Sequence, residues 1–297
     1  MDRFEFGVLV ASLREDMRWT QVELAEKSGV DPAAISNIER GARRDLLKDN
    51  LIIKLADAFR LTTLERQEFL FAASGVGHDA VLRREKDHAK LSFDPVAFIT
   101  EIGEHIGRLT LPALVTDSFC DILLVNRCLL EYYDAPPSLL QTAGNSLEGF
   151  NQMRYVFHAD SNFRSLVGDA EWEKFTLINA RYFRRRTLRV RSKPYFASLL
   201  NEFLDNKRYP SFEPCWRKMV YEDKDDYYIP FEKDVKEDSI HSLVAVESLL
   251  ALTPYGDLYL QQLLPLTRMT AKRIDTILDK VGQGYMKLAP FPDMRKR

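Results

Sequence analysis

The sequence predicts a protein of two domains: an all-α domain of five helices over residues 1–75, and an α+β domain over residues 94–297 with an antiparallel sheet and flanking helices. Three observations predict this arrangement. Apolar residues recur at helical spacing, between helix start and stop signals, as far as Ser74-Gly75. A charged segment, residues 76–93, follows as a linker. Beyond it, pairs of short apolar runs separated by turn residues indicate hairpins.

The first domain begins with a helix predicted over Phe4–Met17, where apolar residues recur on one face. Two further helices are predicted after residue 50, over Leu51–Phe59 and Leu64–Ala73. Thr62 and Glu65 have the spacing of a capping box, which marks the start of the last of them. These three helices and the pair between them make five.

The stretch Thr20–Gly41 predicts the remaining two helices, joined by a tight turn. Thr20 and Glu23 form a second capping-box pattern at the start of the first helix. Gly29 stands where that helix must end in a left-handed residue, and Asp31 then caps the next helix. The combination predicts a helix-turn-helix, whose second helix is suited to the major groove of DNA.

The residues T-Q-x-x-L-A from Thr20 to Ala25, and I-S-x-I-E-x-G from Ile35 to Gly41, resemble the XRE family of lambda-repressor-like helix-turn-helix regulators. The resemblance implies a lambda-repressor-like five-helix domain that binds double-stranded DNA. It also implies a phosphate contact at the start of the first motif helix and base contacts along the second. The predicted DNA-binding residues are Gln21, Pro32, Ala33, Ser36, Asn37, Arg40, Arg43 and Arg44.

The predicted recognition surface is small. Asn37 is the best candidate for reading a base, because its amide can pair with adenine through two hydrogen bonds. Pro32 and Ala33 offer no long polar side chain, and residues 1–75 carry 11 Lys and Arg against 13 Asp and Glu. A single domain is therefore expected to bind weakly, and we expect a homodimer on two half-sites.

The second domain begins with a helix at Pro95. The runs Pro112–Val115 and Ile122–Val125 predict a hairpin, after which Asn126 caps a helix. Near the end of the chain, two strands around the turn Pro254–Asp257 and a last helix are predicted, with bounds Ser242–Leu252, Leu258–Leu264 and Ala271–Val281. The segment from Asn151 to Phe175 is predicted as one amphipathic helical stretch.

The pattern P-A-x-V-x-D from Pro112, N-x-x-R-x-x-F from Asn151, and the later turn P-x-G-x-L from Pro254 resemble the ligand-binding domain of MmyB-like transcription regulators. That resemblance implies a PAS-like module that binds a small apolar or amphiphilic ligand, a fatty acid being one example. Arg154 is a candidate partner for a ligand carboxylate at the pocket mouth. The predicted ligand-binding residues are Phe150, Met153, Arg154, Phe157, Trp172 and Phe183.

The run Ala180–Tyr195 contains six arginines and one lysine. One interpretation is a second anion-binding surface, for DNA or an acidic ligand. The simpler interpretation, which the sequence favours, is the outer face of a helix balanced by the acidic run Glu222–Asp238.

Composition restricts the remaining classes. The 297 residues are 45% hydrophobic and 29% charged, with a net charge of −2 and three cysteines, as expected of a cytoplasmic protein with reduced thiols. No apolar run is long enough to predict a membrane span. No catalytic, cofactor or metal-ligand motif is present, so neither an enzyme nor a cofactor is predicted. Three alternatives stay open: a C-terminal domain that binds a protein or peptide, an enzyme with a helix-turn-helix attached, and a sensor that holds haem or flavin.

Overall fold

The computed structural model describes residues 1–42, 50–75, 93–134, 150–159, 164, 169–219 and 243–296. The N-terminal region is helical throughout its described residues. Its helices are α1 (Arg3–Asp16), α2 (Gln21–Ser28), α3 (Pro32–Glu39), α4 (Leu51–Ala58) and α5 (Thr63–Ala73). The five helices predicted from the sequence are therefore confirmed, with bounds that shift by one or two residues.

The core of this region is formed by the predicted apolar faces. Phe6, Leu13, Leu24, Ile35 and Phe69 are all almost completely buried. The rings of Phe6 and Phe69 lie 5.1 Å apart, so that α1 packs directly against α5. Burial of these side chains removes apolar surface from water, which is the main free-energy term that holds short helices together.

The C-terminal region is α+β, as predicted. Its helices are α6 (Pro95–Gly107), α7 (Arg127–Tyr132), α8 (Gln152–Phe157), α9 (Asp169–Thr187), α10 (Pro194–Phe203), α11 (Phe212–Met219) and α12 (Arg268–Val281). Its strands are β1 (Ala113–Asp117), β2 (Ile122–Asn126), β3 (Leu243–Thr253), β4 (Gly256–Pro265) and β5 (Tyr285–Lys287). Short 3-10 segments, Leu188–Val190 and Met294–Lys296, follow α9 and close the described chain.

The five strands form one antiparallel sheet in the order β3-β4-β1-β2-β5. The two predicted hairpins supply β1–β2 and β3–β4, and β1 and β4 join them at the centre, where Leu114 lies opposite Gln261. Strand β5 was not predicted, because three residues are too few to show a periodic pattern. Gly256, at a φ of +116°, supplies the unusual backbone angle of the β3–β4 turn.

The two faces of the sheet are covered by different elements. Val115, Leu124 and Leu258 point to the face that packs against the isoleucines of α6. The other face carries Leu114, Thr116 and Gln261 and lies towards α8 and α9, as the hydrogen bonds from Gln261 to Gln152 and Tyr182 show. All of this follows from the alternation of side chains along a strand.

One helix prediction was wrong in extent. The stretch from Asn151 to Phe175 is not one helix, because α8 ends at Phe157 and His158 adopts an extended conformation with ψ near 139°. Helix α9 then begins at Asp169 and runs as far as Thr187. Apolar residues recur at helical spacing both before and after the end of α8, so the spacing alone does not show that the helix is interrupted.

The two regions are in contact. A single apolar cluster extends from α1 and α5 to the aromatic side chains of α9, α10 and α11, including Phe183, Phe203, Phe212 and Trp216. Helices α9 to α11 thus lie between the N-terminal helices and the sheet. No described helix has both the length and the apolar character that crossing a bilayer requires.

Candidate functional site

The α2–α3 pair has the geometry that its sequence predicts. The Thr20 hydroxyl accepts a hydrogen bond from the Glu23 amide at 3.2 Å, and the Glu23 carboxylate accepts one from the Thr20 amide at 2.7 Å. Gly29 ends α2 with a φ of +61°, in the left-handed region. Asp31 then accepts from the Ala33 amide at 2.8 Å and caps α3. Local capping alone therefore fixes where both helices of the motif begin and end.

A buried ionic contact fixes α3 against α1. Arg14 donates through Nε and Nη2 to the two carboxylate oxygens of Glu39, at 2.7 and 3.0 Å. The hydrogen bond to Glu39 raises the pKa of Arg14 above its ordinary value. Gln21 donates its side-chain amide to the same carboxylate at 2.8 Å. The predicted phosphate-contacting residue thus also helps to position α3 against α2.

The outward face of α3 carries the predicted base-reading residues. Pro32, Ala33 and Arg40 are exposed, and Ser36 and Asn37 are half-buried beside them. Arg40 donates from Nη2 to the Asn37 side-chain carbonyl at 2.8 Å, so the two side chains form one polar group in the free protein. Arg43 and Arg44 lie outside the described residues.

The basic run on α9 and beyond does not have the predicted role. Two of its arginines are buried, and four of its bases pair with acids of the N-terminal helices. The pairs are Arg184–Glu65, Arg189–Glu68, Arg191–Asp16 and Lys193–Glu5. We call these four pairs the interdomain seam. The prediction of an outer helix face balanced by the acidic run Glu222–Asp238 was wrong for these bases, because their acids come from α1 and α5. The whole of that acidic run lies outside the described residues.

The centre of the seam is almost inaccessible to water. The side chains of Arg191 and Asp16 are 0% and 5% exposed, and their charged atoms are 2.5 Å apart. Trp216 also donates its indole N–H to Asp16 at 3.2 Å. A second pair, Arg184 and Glu65, is 5% exposed on both sides at 3.3 Å. Charges buried to this degree persist only because each is paired.

The seam changes the charge that the motif presents. It neutralises four of the 13 acids in residues 1–75, all of them on α1 and α5. These four carboxylates face the second region and are paired with bases there, so their negative charge no longer adds to the repulsion of a phosphate backbone. None of the seam residues belongs to α2 or α3.

The predicted ligand-binding residues fall into separate places. Met153, Phe157 and Phe183 are fully buried in the large apolar cluster. Phe150 is partly buried against a different cluster, beneath β1 and β2. Trp172 packs on Phe175, with ring centroids 6.0 Å apart. The sequence predicted that these residues line one pocket. In the structure they are divided between different apolar clusters.

Arg154 already holds a protein carboxylate. It donates through Nε and Nη2 to Glu202 at 2.8 and 2.6 Å, and Tyr209 donates its hydroxyl to the same carboxylate at 2.5 Å. Burial opposes ionisation of Glu202, but the hydrogen bonds from Arg154 and Tyr209 outweigh it and lower the pKa of Glu202. Arg154, which the sequence predicted to bind a ligand carboxylate, therefore binds the carboxylate of Glu202, 48 residues away in sequence.

A second ionic cluster was missed by sequence reasoning. Lys296 lies 2.5 Å from a carboxylate oxygen of Asp117 and 2.5 Å from one of Asp121. Tyr195 donates its hydroxyl to Asp121 at 2.7 Å, and Asn151 donates to the other oxygen at 2.7 Å. Burial opposes the charge on Lys296, but the two carboxylates raise its pKa. The five residues come from four separate parts of the chain, with only Asp117 and Asp121 close in sequence, so no local pattern marks the cluster.

A third polar cluster lies between α9 and the sheet. Tyr182 donates its hydroxyl to Glu247, and Gln261 donates to the Tyr182 oxygen at 2.5 Å. The guanidinium of Arg186 lies over the ring of Tyr259. Tyr182 and Arg186 are four residues apart, a spacing that puts them on one helix face and that could have signalled the cluster.

The chemistry of the described residues offers no metal site. No group of three or more His, Cys, Asp or Glu among them is arranged to hold a metal ion. Cys120, Cys128 and Cys215 are buried and free, and burial raises the pKa of each thiol, for Cys128 to about 11.

The α2–α3 pair is capped at both helix starts, and its second helix is exposed on one side and packed against the N-terminal core on the other. These features define a DNA-binding helix-turn-helix, which is joined to an α+β domain. Comparison with family models agrees: residues 10–65 match the helix-turn-helix family HTH_3, a family of DNA-binding regulators. The N-terminal region is therefore an HTH_3 domain of the XRE type. A search of curated proteins finds no match to the chain.

Proposed function

We propose that this protein is a transcription regulator that binds operator DNA as a homodimer and whose α+β domain is an MmyB-like, PAS-like sensor of a small amphiphilic ligand, such as a fatty acid. The observation that carries the proposal is the α2–α3 pair, in which Ala33, Ser36, Asn37 and Arg40 lie on the accessible side of α3. Phosphate contacts would give affinity, and base edges would give sequence preference.

Asn37 is the proposed base reader and Arg40 the proposed phosphate contact. In the free protein they are hydrogen-bonded to each other, so DNA binding would exchange that bond for contacts to a base and a phosphate. The backbone that carries both side chains is fixed, because Glu39, adjacent to Arg40 and two residues from Asn37, is held by Arg14 and Gln21. A recognition helix fixed in this way loses little conformational freedom when it binds.

The interdomain seam supports a role for the second domain in regulation. It joins α1 and α5 to α9 and the segment that follows it, through ion pairs of which the central two are buried. A ligand that binds two arrangements of the α+β domain with different affinity would shift the placement of the two motifs in a dimer. Only such a difference in affinity can make the ligand a regulator.

Selection of binding sites from random duplexes, followed by fluorescence anisotropy, tests the DNA-binding proposal. We expect Asn37→Ala to lose about 1–3 kcal/mol of discrimination at one base position. We expect Arg40→Ala to weaken binding to all sequences alike, with a smaller salt dependence. Equal affinity of the unmodified protein for selected and scrambled duplexes would refute sequence-specific binding.

Sedimentation velocity with a palindromic duplex tests the dimer. Two protein chains per duplex are expected, at a half-site spacing near one helical turn. Tight binding by one chain per duplex would exclude the dimer and leave the helix-turn-helix assignment intact.

A protein or peptide partner is the second candidate for the α+β domain. Leu249, Leu250 and Leu252 are exposed on β3, which lies at one end of the described sheet. An exposed apolar edge strand is a surface on which another strand can pair. Hydrogen exchange of β3 in the presence and absence of a small ligand separates the two candidates, since a ligand in the interior would leave exchange along this edge unchanged.

A further inference from the structure

Arg186 has two buried donors without a partner. Its side chain is 9% exposed, and its Nε and Nη2 make no hydrogen bond to any described residue. The nearest carboxylate, that of Glu247, is 3.7 Å away from Nε, beyond hydrogen-bonding distance. Unpaired donors of a buried charged group are costly, and native proteins seldom leave them so.

The surrounding residues do not supply the missing acceptor. The Glu247 carboxylate accepts from Tyr182, and the Gln261 side-chain amide also lies close to it, at 3.4 Å. Burial raises the pKa of Tyr182 well above its ordinary value, so the phenol stays protonated and keeps donating. Burial disfavours the charge on Arg186, but nearby acidic groups, the Glu247 carboxylate among them, outweigh burial and raise its pKa, so the guanidinium remains charged.

A second unpaired group lies beside the first. Thr116 on β1 is directly opposite Tyr259 on β4, so the two side chains lie on the same face of the sheet. Tyr259 is the ring over which Arg186 lies. The hydroxyl of Thr116 is completely buried and has no hydrogen-bond partner among the described residues. Two unpaired polar groups, from a helix and from a strand, therefore flank one aromatic ring.

The two free atoms of Arg186 are a matched pair. Nε and Nη2 lie on the same edge of the guanidinium group, and together they bind the two oxygens of one carboxylate. The same protein uses this edge elsewhere: Arg14 binds Glu39 through Nε and Nη2, and Arg154 binds Glu202 in the same way. In Arg186 the same edge is buried and unused. Arg191 also leaves Nε and Nη2 without a hydrogen bond, but its Nη1 is paired with Asp16, whereas the carboxylate closest to Arg186 lies beyond hydrogen-bonding distance.

We propose that Arg186 and Thr116 form the site that binds the carboxylate head group of the sensor domain's ligand. The inference rests on the proposed sensor function and names the acidic group that this function requires. The carboxylate accepts from Nε and Nη2 of Arg186, and the Thr116 hydroxyl donates to it. Arg154, the residue that the sequence favoured, is excluded from this role by its bond to Glu202.

Binding of decanoic acid and of methyl decanoate, measured by isothermal titration calorimetry on the full chain, tests the site. The ester keeps the alkyl chain but loses the charge and the second equivalent oxygen. We expect the unmodified protein to bind the acid at least ten times more tightly than the ester. Arg186→Gln should abolish this preference, whereas the matched control Arg185→Gln, a half-buried neighbour on the same helix, should retain it.

Thr116→Val provides a second variant that preserves side-chain shape, should Arg186→Gln fail to fold. We expect it to bind the acid several times more weakly and the ester unchanged. An Arg186→Gln protein that folds and still prefers the acid, or a Thr116→Val protein with unchanged affinity for the acid, would overturn the assignment of this site alone. If the unmodified protein binds neither compound, the sensor function fails with it, whereas the DNA-binding proposal is judged by its own experiment.

Discussion

Glu202 shows how one buried carboxylate can depend on two distant partners. It accepts hydrogen bonds from Arg154 and Tyr209, and its side chain is 16% exposed. Its pKa lies below its ordinary value in the folded protein. A lowered pKa means that the folded state favours the charged form, so Glu202 stabilises the fold fully above its unfolded pKa of about 4.3. That contribution is lost as the pH falls through the lower folded pKa.

We predict that Glu202→Gln lowers the free energy of unfolding by about 3 kcal/mol at pH 7, because Arg154 keeps a buried charge without its counterion. The difference from the unmodified protein should shrink as the pH falls from about 4.3 through the lower folded pKa of Glu202, because the unmodified protein then loses a carboxylate charge that the glutamine variant never carries. Urea denaturation at several pH values measures it. A difference that stays constant down to pH 3 would show that the ion pair is not its source.

At the scale of elements, two helices of the N-terminal domain begin with the same capping box but differ in what lies beyond it. Thr20 and Glu23 cap α2 at the surface. Thr62 and Glu65 cap α5 with similar bonds, of 3.1 and 3.3 Å, but Glu65 also pairs with the buried Arg184. The local sequence is equivalent in the two places. Only the packing of α9 against α5 distinguishes them.

We therefore predict that Glu65→Gln is much more destabilising than Glu23→Gln. Glutamine can replace glutamate in a capping box, so both helices keep their first turn. Glu65→Gln leaves Arg184 buried without a counterion, and we expect a loss of about 3–5 kcal/mol. Glu23→Gln is the matched control and should change stability little. Thermal unfolding followed by circular dichroism measures the stability of both variants. Equally small effects would contradict a stabilising ion pair between Glu65 and Arg184.

At the scale of the whole molecule, the last described segment connects parts of the chain that are far apart in sequence. Lys296 pairs with Asp117 and Asp121, and Asp121 is bonded in turn to Tyr195 at the start of α10. Helix α10 belongs to the same apolar cluster as α1 and α5. The sheet, the bridging helices and the DNA-binding domain are thus connected without a gap. We expect them to unfold together.

We predict that Lys296→Met lowers the midpoint of a single calorimetric transition by about 10 °C. The variant leaves two buried carboxylates without their cation, at a cost of about 3–5 kcal/mol, and each kcal/mol shifts the midpoint of a protein of this size by about 2–4 °C. Lys287→Met, at an exposed position on β5, is the control and should leave the midpoint almost unchanged. Two separate transitions, of which only one shifts, would refute the idea of one cooperative unit.

Much of the N-terminal domain could be predicted from sequence because its signals are local. Capping residues, Gly29 and Asp31 act within four residues of the groups they satisfy, so their spacing is enough to place α2 and α3. The two hairpins of the sheet were also predicted, since turn residues and apolar runs adjoin. The polar cluster at Arg186 was not, because its members come from α9, β1, β3 and β4 and meet only in the folded chain.

The sequence by itself determined the helix-turn-helix, the class of each domain and the presence of an unusually basic segment. What only the tertiary structure decided is the purpose of that segment. Charge along a chain can be counted, but whether an arginine is solvated, paired or left with free donors depends on which acids packing brings to it. Arg191 is paired with Asp16 through Nη1, and Arg154 is paired with Glu202. Nε and Nη2 of Arg186 have no acceptor among the described residues, and no carboxylate is hydrogen-bonded to them. The physical reason is burial, which turns a surface charge of little consequence into one that must have a specific partner.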